Sequence, residues 1–192
     1  MIGALMRRGF MGSAAAGGLT YATWNPADKA ASIVLSNGNL RASAPVYPGL
    51  VRATVGKSSG KWYWEITPFF GGGAWLIGAA EGSGTVNLSP GYASNSWGYY
   101  VNGAVGTGGS FGGTNDSYTA GDTIGIALDM NSGFIVFYKN GVVQPTPLSG
   151  LAGTVYPAFG TNISGTTIAD ANFGATAFAY PVPSGYNAGI YL

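Results

Sequence analysis

Short segments in which hydrophobic and polar residues alternate run along the chain from Tyr21 onward, separated by turn residues. In residues 60–69 the alternation is clearest, with Trp62, Trp64 and Ile66 facing one way and Tyr63, Glu65 and Thr67 the other. Since successive side chains of a strand point to opposite faces, this segment predicts a strand with distinct faces. Residues 74–80 are apolar throughout and bounded by glycine, which predicts a strand buried on both faces.

Turn signals divide the rest of the chain into hairpins. Residues 32–43 read as two short strands around Asn37-Gly38, because this dipeptide suits a tight turn with positive φ. Residues 122–143 predict a longer hairpin that turns at 131–133 and reaches a second turn at Asn140-Gly141. Two long Gly/Ser/Asn loops are expected, at 82–96 and 103–117. Further strands are predicted within residues 97–103, 155–162 and 168–173. With no helical period visible, the chain predicts an all-β, two-sheet antiparallel sandwich.

The composition agrees with this fold class, and it shows that the chain has few charged residues with which to bind a partner. Hydrophobic residues make up 46% of the 192 residues and charged residues only 8%, against roughly 25% in an average soluble protein. The 34 glycines favour turns over helices. The net charge of +1 offers no basic patch, so nucleic acid is not an expected partner. Uncharged surfaces of this kind are common where neighbouring proteins cover them.

The residues needed for most catalytic chemistry are missing. The chain contains no histidine and no cysteine, which removes the usual general base and the commonest zinc ligands. The turn that starts at Asp129 lacks the closing glutamate of a calcium loop, and Gly56-Lys57-Ser58 lacks the earlier glycine of a phosphate loop. We therefore predict no catalytic residue, no metal site, no cofactor and no enzymatic activity.

Residues 1–20 form a Gly/Ala-rich segment, which we interpret as an N-terminal extended arm ahead of a domain at 21–192. It is too short and too glycine-rich to span a bilayer, and its apolar part is too interrupted for a secretory signal, so no membrane association is expected. The arm either docks into pockets on neighbouring subunits or folds along its own sandwich, and its candidate docking side chains are Met6, Arg7, Arg8, Phe10 and Met11.

Several motifs, in order, resemble a SPRY domain: SSGKWYWEI, IGAA, WGYYVNG, GDTIGIALDMNSGFIVFYKNG, YPAFG and ANFG. The resemblance covers residues 24–186. It implies two packed antiparallel sheets, loops at one edge that bind partners, and no catalytic chemistry. The flanking segments, at 23–42 and 175–192, are similar to those of SPRY-type proteins from bacteriophages and prophages. The loop at 103–117 has no counterpart that we can align in the eukaryotic signalling members, so their binding residues are not transferred.

Large aromatic residues in or beside the glycine-rich loops are the candidate partner-binding residues. They serve either as interface anchors or sugar-stacking platforms, or as buried residues at the sandwich ends; they are Phe69, Phe70, Trp75, Tyr92 and Phe111. Aromatic residues in the predicted strands, among them Trp64 and Phe137, are expected in the core.

From the flanks and the arm we predict a bacteriophage virion protein: a head-decorating, fibre or tail-associated component located in the virion. Its expected partners are other virion proteins in a homo-oligomer or multi-copy assembly, with a host-surface glycan or protein as a further partner. The alternative is a free bacterial or prophage adaptor that binds a peptide or glycan, and a small enzyme ranks third.

Overall fold

The computed structural model describes residues 18–70, 75–163 and 165–192, and it confirms the predicted all-β sandwich. Within these ranges there are sixteen strands and no helix. The strands are β1 (Trp24–Lys29), β2 (Val34–Ser36), β3 (Arg41–Ala44), β4 (Gly49–Ala53), β5 (Lys61–Phe70), β6 (Trp75–Glu81), β7 (Ser96–Tyr100), β8 (Val105–Thr107), β9 (Ser110–Gly112), β10 (Ile124–Asp129), β11 (Phe134–Lys139), β12 (Val142–Val143), β13 (Leu148–Ser149), β14 (Val155–Thr161), β15 (Thr167–Asn172) and β16 (Asn187–Ala188).

The strands form two sheets. One has seven strands in the order β1-β4-β14-β6-β7-β8-β9. The other has nine, with the path β12-β11-β10-β5-β15-β3-β2, while β13 pairs with β11 and β16 pairs with β5. All pairings are antiparallel apart from the short β16–β5 contact, which is parallel. β5 therefore lies inside the nine-stranded sheet, between β10 and β15.

The core fills the space between the sheets. Trp64 and Ile66 of β5 are fully buried in it, which confirms the alternation predicted for this strand. Trp24, from the edge of the other sheet, packs edge-to-face against Phe173 with ring centroids 5.0 Å apart. Burying each large apolar side chain stabilises the fold by about 1.5–3 kcal/mol, so the tryptophan-rich core accounts for much of the stability. β6 is buried on both faces, as predicted, and Ala80 joins a second small cluster on the outer side.

The predicted hairpins are present, and one more lies where a plain loop was expected. Asn140 and Gly141 have φ of 50° and 79°, which is the geometry of a two-residue turn between β11 and β12. In the segment 103–117 the strands β8 and β9 pair around Gly108-Gly109, whose φ values are 62° and 79°. The two strands have only three residues each, too few for a period-2 pattern to be visible in the sequence.

A C-terminal strap, residues 174–188, covers part of the outer face of the nine-stranded sheet. Phe178 packs edge-to-face on Tyr63 with centroids 5.1 Å apart. The Glu65 carboxylate accepts hydrogen bonds from the main-chain N–H of Ala179 (2.8 Å) and of Tyr180 (3.0 Å). The strap explains why Tyr63 and Glu65 are buried although their side chains point away from the core.

The two ends of the described chain pair with each other. The N–H of Leu192 donates to the carbonyl of Thr20, the N–H of Ala22 donates to the carbonyl of Ile190, and Tyr21 bridges to Tyr191. The proposed docking residues, Met6, Arg7, Arg8, Phe10 and Met11, lie outside the described residues, and the division of the chain near Tyr21 stays a prediction. No helix in the described ranges has the length and hydropathy needed to cross a membrane.

Candidate functional site

Two of the predicted partner-binding residues, Tyr92 and Phe111, come together in the structure. Their ring centroids are 5.1 Å apart, and the ring of Tyr47 also contacts Tyr92, with centroids 6.3 Å apart. Asn162 Nδ2 donates a hydrogen bond of 3.3 Å to the Tyr92 hydroxyl, which brings the loop after β14 to the same place. We call the surface formed by Val46, Tyr47, Tyr92, Phe111 and Ile163 the aromatic surface.

Four separate segments build the aromatic surface. The β3–β4 loop supplies Val46 and Tyr47, the long β6–β7 loop supplies Tyr92, β9 supplies Phe111, and the β14–β15 loop supplies Ile163. The N–H of Gly165 donates to the carbonyl of Pro45, so the first and last of these loops are hydrogen-bonded to each other. Side chains distant in sequence are thereby held side by side.

The β6–β7 loop lies flat on the seven-stranded sheet because glycines leave room for it. A Cβ on Gly98 would lie 2.4 Å from the Pro90 carbonyl oxygen, and one on Gly160 would lie 2.9 Å from Pro90 Cδ. Ser96 Oγ then fixes the turn around Tyr92, because it accepts the N–H of Gly91 at 2.9 Å and of Ala93 at 3.2 Å. The position of Tyr92 is therefore fixed before a partner binds, by the turn that Ser96 stabilises and by the hydrogen bond from Asn162.

The aromatic surface is open to solvent at its outer residues. Val46, Tyr47 and Ile163 are 51%, 38% and 39% exposed, while Tyr92 and Phe111 are half-buried between them. Exposed apolar and aromatic side chains clustered around a fixed centre are typical of the hot spots of protein interfaces. The arrangement is therefore suited to recognition by contact.

The other predicted partner-binding residues are not part of this surface. Phe69 is exposed on the nine-stranded sheet, where the Arg41 guanidinium lies 4.5 Å above its ring and is itself paired with Asp170 at 2.7 Å. Trp75 is only 2% exposed and packs in the core against Tyr118. Trp75 thus follows the second of the two interpretations, that of an aromatic residue buried in the sandwich. Phe70 ends β5, and its side chain lies outside the described part of the structure.

Most charged side chains of the described residues are paired for structural purposes. Arg52 is buried and binds Asp28 through two hydrogen bonds of 2.8 Å. Lys61 pairs with Asp129 at 3.0 Å. Burial lowers the pKa of Lys57, whose Nζ lies 3.7 Å above the Trp62 ring and donates to the carbonyl of Tyr191. In the described ranges no group of three or more acidic residues is placed to hold a metal ion, and no pocket is enclosed.

The sequence did not indicate a role for Val46, Tyr47, Asn162 or Ile163. Tyr47 stands between two prolines in the segment 45–48, which signals a rigid loop that presents a tyrosine. Asn162 and Ile163 carry no signal of their own, because their role depends on the contact with a loop some 70 residues away in sequence. Such a contact is visible only after the sheets have assembled.

Comparison with known proteins gives a consistent family. The family model described as SPRY domain matches residues 61–176. Ran-binding protein 9 of Xenopus tropicalis is 30% identical over 178 residues, covering 83% of this chain and 31% of that protein. Human Ran-binding protein 9 is 29% identical over 175 residues, covering 83% and 24%. The SPRY domain of human HERC1 superposes with a TM-score of 0.65 at 20% identity, covering 80% of this chain and 99% of that structure. The chain thus spans less than a third of the length of these curated relatives.

These relatives correct the functional predictions made from the flanking segments. They are cellular proteins of animals, so the prediction of a virion component (head-decorating, fibre or tail-associated), its location in the virion and its partnership with other virion proteins are wrong. The narrower resemblance to bacteriophage and prophage proteins is not supported either. SPRY domains are non-catalytic interaction modules. Because the matching model covers more than half of its residues, the chain belongs to the SPRY domain family.

Proposed function

We propose that this chain is a protein-interaction module, without catalytic activity, that binds a segment of another protein on the aromatic surface. The observation that carries the proposal is the cluster of Tyr47, Tyr92 and Phe111, in which the Tyr92 ring lies 6.3 and 5.1 Å from the other two ring centroids.

Preorganisation supports this assignment. Holding an aromatic side chain in place before binding reduces the entropy lost when the complex forms. Tyr92 is fixed through Asn162 and through the turn that Ser96 stabilises, while its ring stays accessible between two others. A partner therefore meets a contact surface that needs little rearrangement.

The test is a selection of peptides from a random display library against the full chain, followed by affinity measurements. Replacing a central aromatic anchor by alanine costs about 2 kcal/mol or more, so Tyr92→Ala should weaken the selected peptides by roughly thirtyfold. Tyr47→Ala, at an exposed position where folding is not at risk, should also weaken them. Phe134→Ala is the matched control, since Phe134 is an aromatic residue exposed to a similar degree on β11 of the other sheet.

The affinity measurements can give three results, and each one either supports or overturns the proposal. Loss of affinity in both tyrosine variants with no change in the control supports the proposal. Equal binding by all variants overturns it, because the peptides then bind elsewhere. Enrichment of no peptide at all also overturns it, because a surface built for an extended segment should select one.

A further inference from the structure

We infer that the segment bound at the aromatic surface is uncharged and apolar, and that its binding is insensitive to salt. This inference rests on the proposed function and adds the chemical class of the partner. Its basis is the absence of charged residues from the segments of the chain that form this surface.

Seven stretches of ten or more residues contain no lysine, arginine, aspartate or glutamate, and four of them are residues 42–51, 66–80, 82–115 and 140–169. Every residue of the aromatic surface comes from three of them, since Val46 and Tyr47 belong to the first, Tyr92 and Phe111 to the third and Ile163 to the last. The segments that form the aromatic surface therefore contain no charged residue.

The charged residues that border the first and last of these stretches are bound to structural partners within the domain. Arg52 follows the first stretch, and its side chain is 4% exposed, paired with Asp28 and bonded to the carbonyls of Glu81 and Gly84. Arg41 precedes the same stretch and is paired with Asp170, which follows the last one. Their charges are neutralised within the domain, which leaves them unable to serve a charged partner without breaking these pairs.

A charged side chain of a partner would lose water at this surface and gain no counter-charge. Burying an unpaired charge is far more costly than burying a polar group, so a charged residue at the centre of the bound segment is strongly disfavoured. Apolar side chains gain from burial against Tyr47, Tyr92 and Phe111 without such a cost. The surface thus selects leucine-, isoleucine-, proline- or aromatic-type residues.

The experiment compares three versions of one library-selected peptide: the parent, and versions in which its central apolar residue is replaced by glutamate or by lysine. We expect both charged versions to bind the full chain at least about tenfold more weakly than the parent. We also expect the parent's affinity to change by less than about twofold over a salt range in which exposed charge pairs are screened.

The result separates this inference from the proposed function. Any of three results would overturn the inference. They are selected peptides that carry a central acidic or basic residue, a charged version that binds as well as the parent, and an affinity that falls steeply with salt. In those cases the proposed function still stands if Tyr92→Ala and Tyr47→Ala weaken binding. If the tyrosine variants bind normally, the proposed function fails first, whatever the charge of the peptide.

Discussion

Glu65 offers the sharpest test of how the C-terminal strap is held. Its side chain lies on the outer face of β5 and is almost fully buried. The carboxylate accepts the Tyr63 hydroxyl at 3.1 Å as well as the main-chain N–H groups of Ala179 and Tyr180. Glu65→Ala removes all three acceptor contacts at once and leaves a space beneath the strap.

The expected loss follows from these contacts. A hydrogen bond to a charged group contributes about 1.5–3 kcal/mol, but water can replace the carboxylate at Ala179, which is exposed. We therefore expect Glu65→Ala to lower the free energy of unfolding by about 2–4 kcal/mol, a large part of the roughly 5–15 kcal/mol of a typical domain. Glu65→Gln, which keeps one acceptor oxygen, should cost about half as much.

Guanidinium chloride denaturation followed by tryptophan fluorescence measures this difference, and hydrogen exchange locates it. The amides of residues 179 and 180 should exchange faster in Glu65→Ala. Glu81→Ala is the matched control, because the Glu81 carboxylate has only a long contact of 3.4 Å from Ser83 Oγ and should change stability by less than about 0.5 kcal/mol. If Glu65→Ala costs no more than this control, the strap is not held by the carboxylate and the reasoning is refuted.

Further predictions concern pH, packing and the N-terminal arm. Burial acts to raise the pKa of Asp129, but hydrogen bonds from Lys61 and from the main-chain N–H groups of the following turn lower it below its ordinary value. A carboxylate whose pKa is lower in the folded than in the unfolded protein stabilises the fold at any pH above its unfolded pKa. The free energy of unfolding should therefore fall as the pH drops from about 5 toward 3, and Asp129→Asn should make this fall less steep. An equal slope in both proteins would contradict the prediction. Gly125→Ala should cost about 1–3 kcal/mol, because its Cβ would lie 2.3 Å from the Tyr63 hydroxyl oxygen, whereas Gly112→Ala, with open space around it, should be nearly neutral in the same denaturation assay. Deleting residues 1–17 should leave the melting temperature within about 2 °C of the full chain, since among the described residues the main-chain bonds that join the two ends begin at Thr20 and are kept; unfolding of the truncated protein would place the domain boundary earlier.

The fold could be predicted because its signals are local. The alternation in β5, the Asn-Gly turns and the apolar run of β6 each depend on a few consecutive residues, and the structure has all of them. Burial of Tyr63 and Glu65 was not predictable in the same way, because it requires a strap more than 100 residues later in the sequence. The β8–β9 hairpin was not predicted, because its three-residue strands are too short to show an alternating pattern in the sequence.

The candidate site was predictable only in part for a related reason. Composition marks Tyr92 and Phe111 as aromatic residues in loops, but it marks Trp75 equally, and the structure buries Trp75. Which of these aromatic residues reach the surface depends on the direction of each side chain, and Trp75, the first residue of β6, belongs to the core. The partner cannot be deduced from flanking segments alone, which is why the virion prediction was wrong.

The central claim is that the partner binds on the aromatic surface, and a chemical-shift map of the amide groups tests it most directly. The full chain is titrated with a library-selected peptide, and the backbone signals are followed. We expect the perturbed amides to cluster around Val46, Tyr47, Tyr92, Phe111 and Ile163, and Tyr92→Ala to abolish the pattern. Perturbations centred instead on the exposed edge at β12, or on the C-terminal strap, would contradict it.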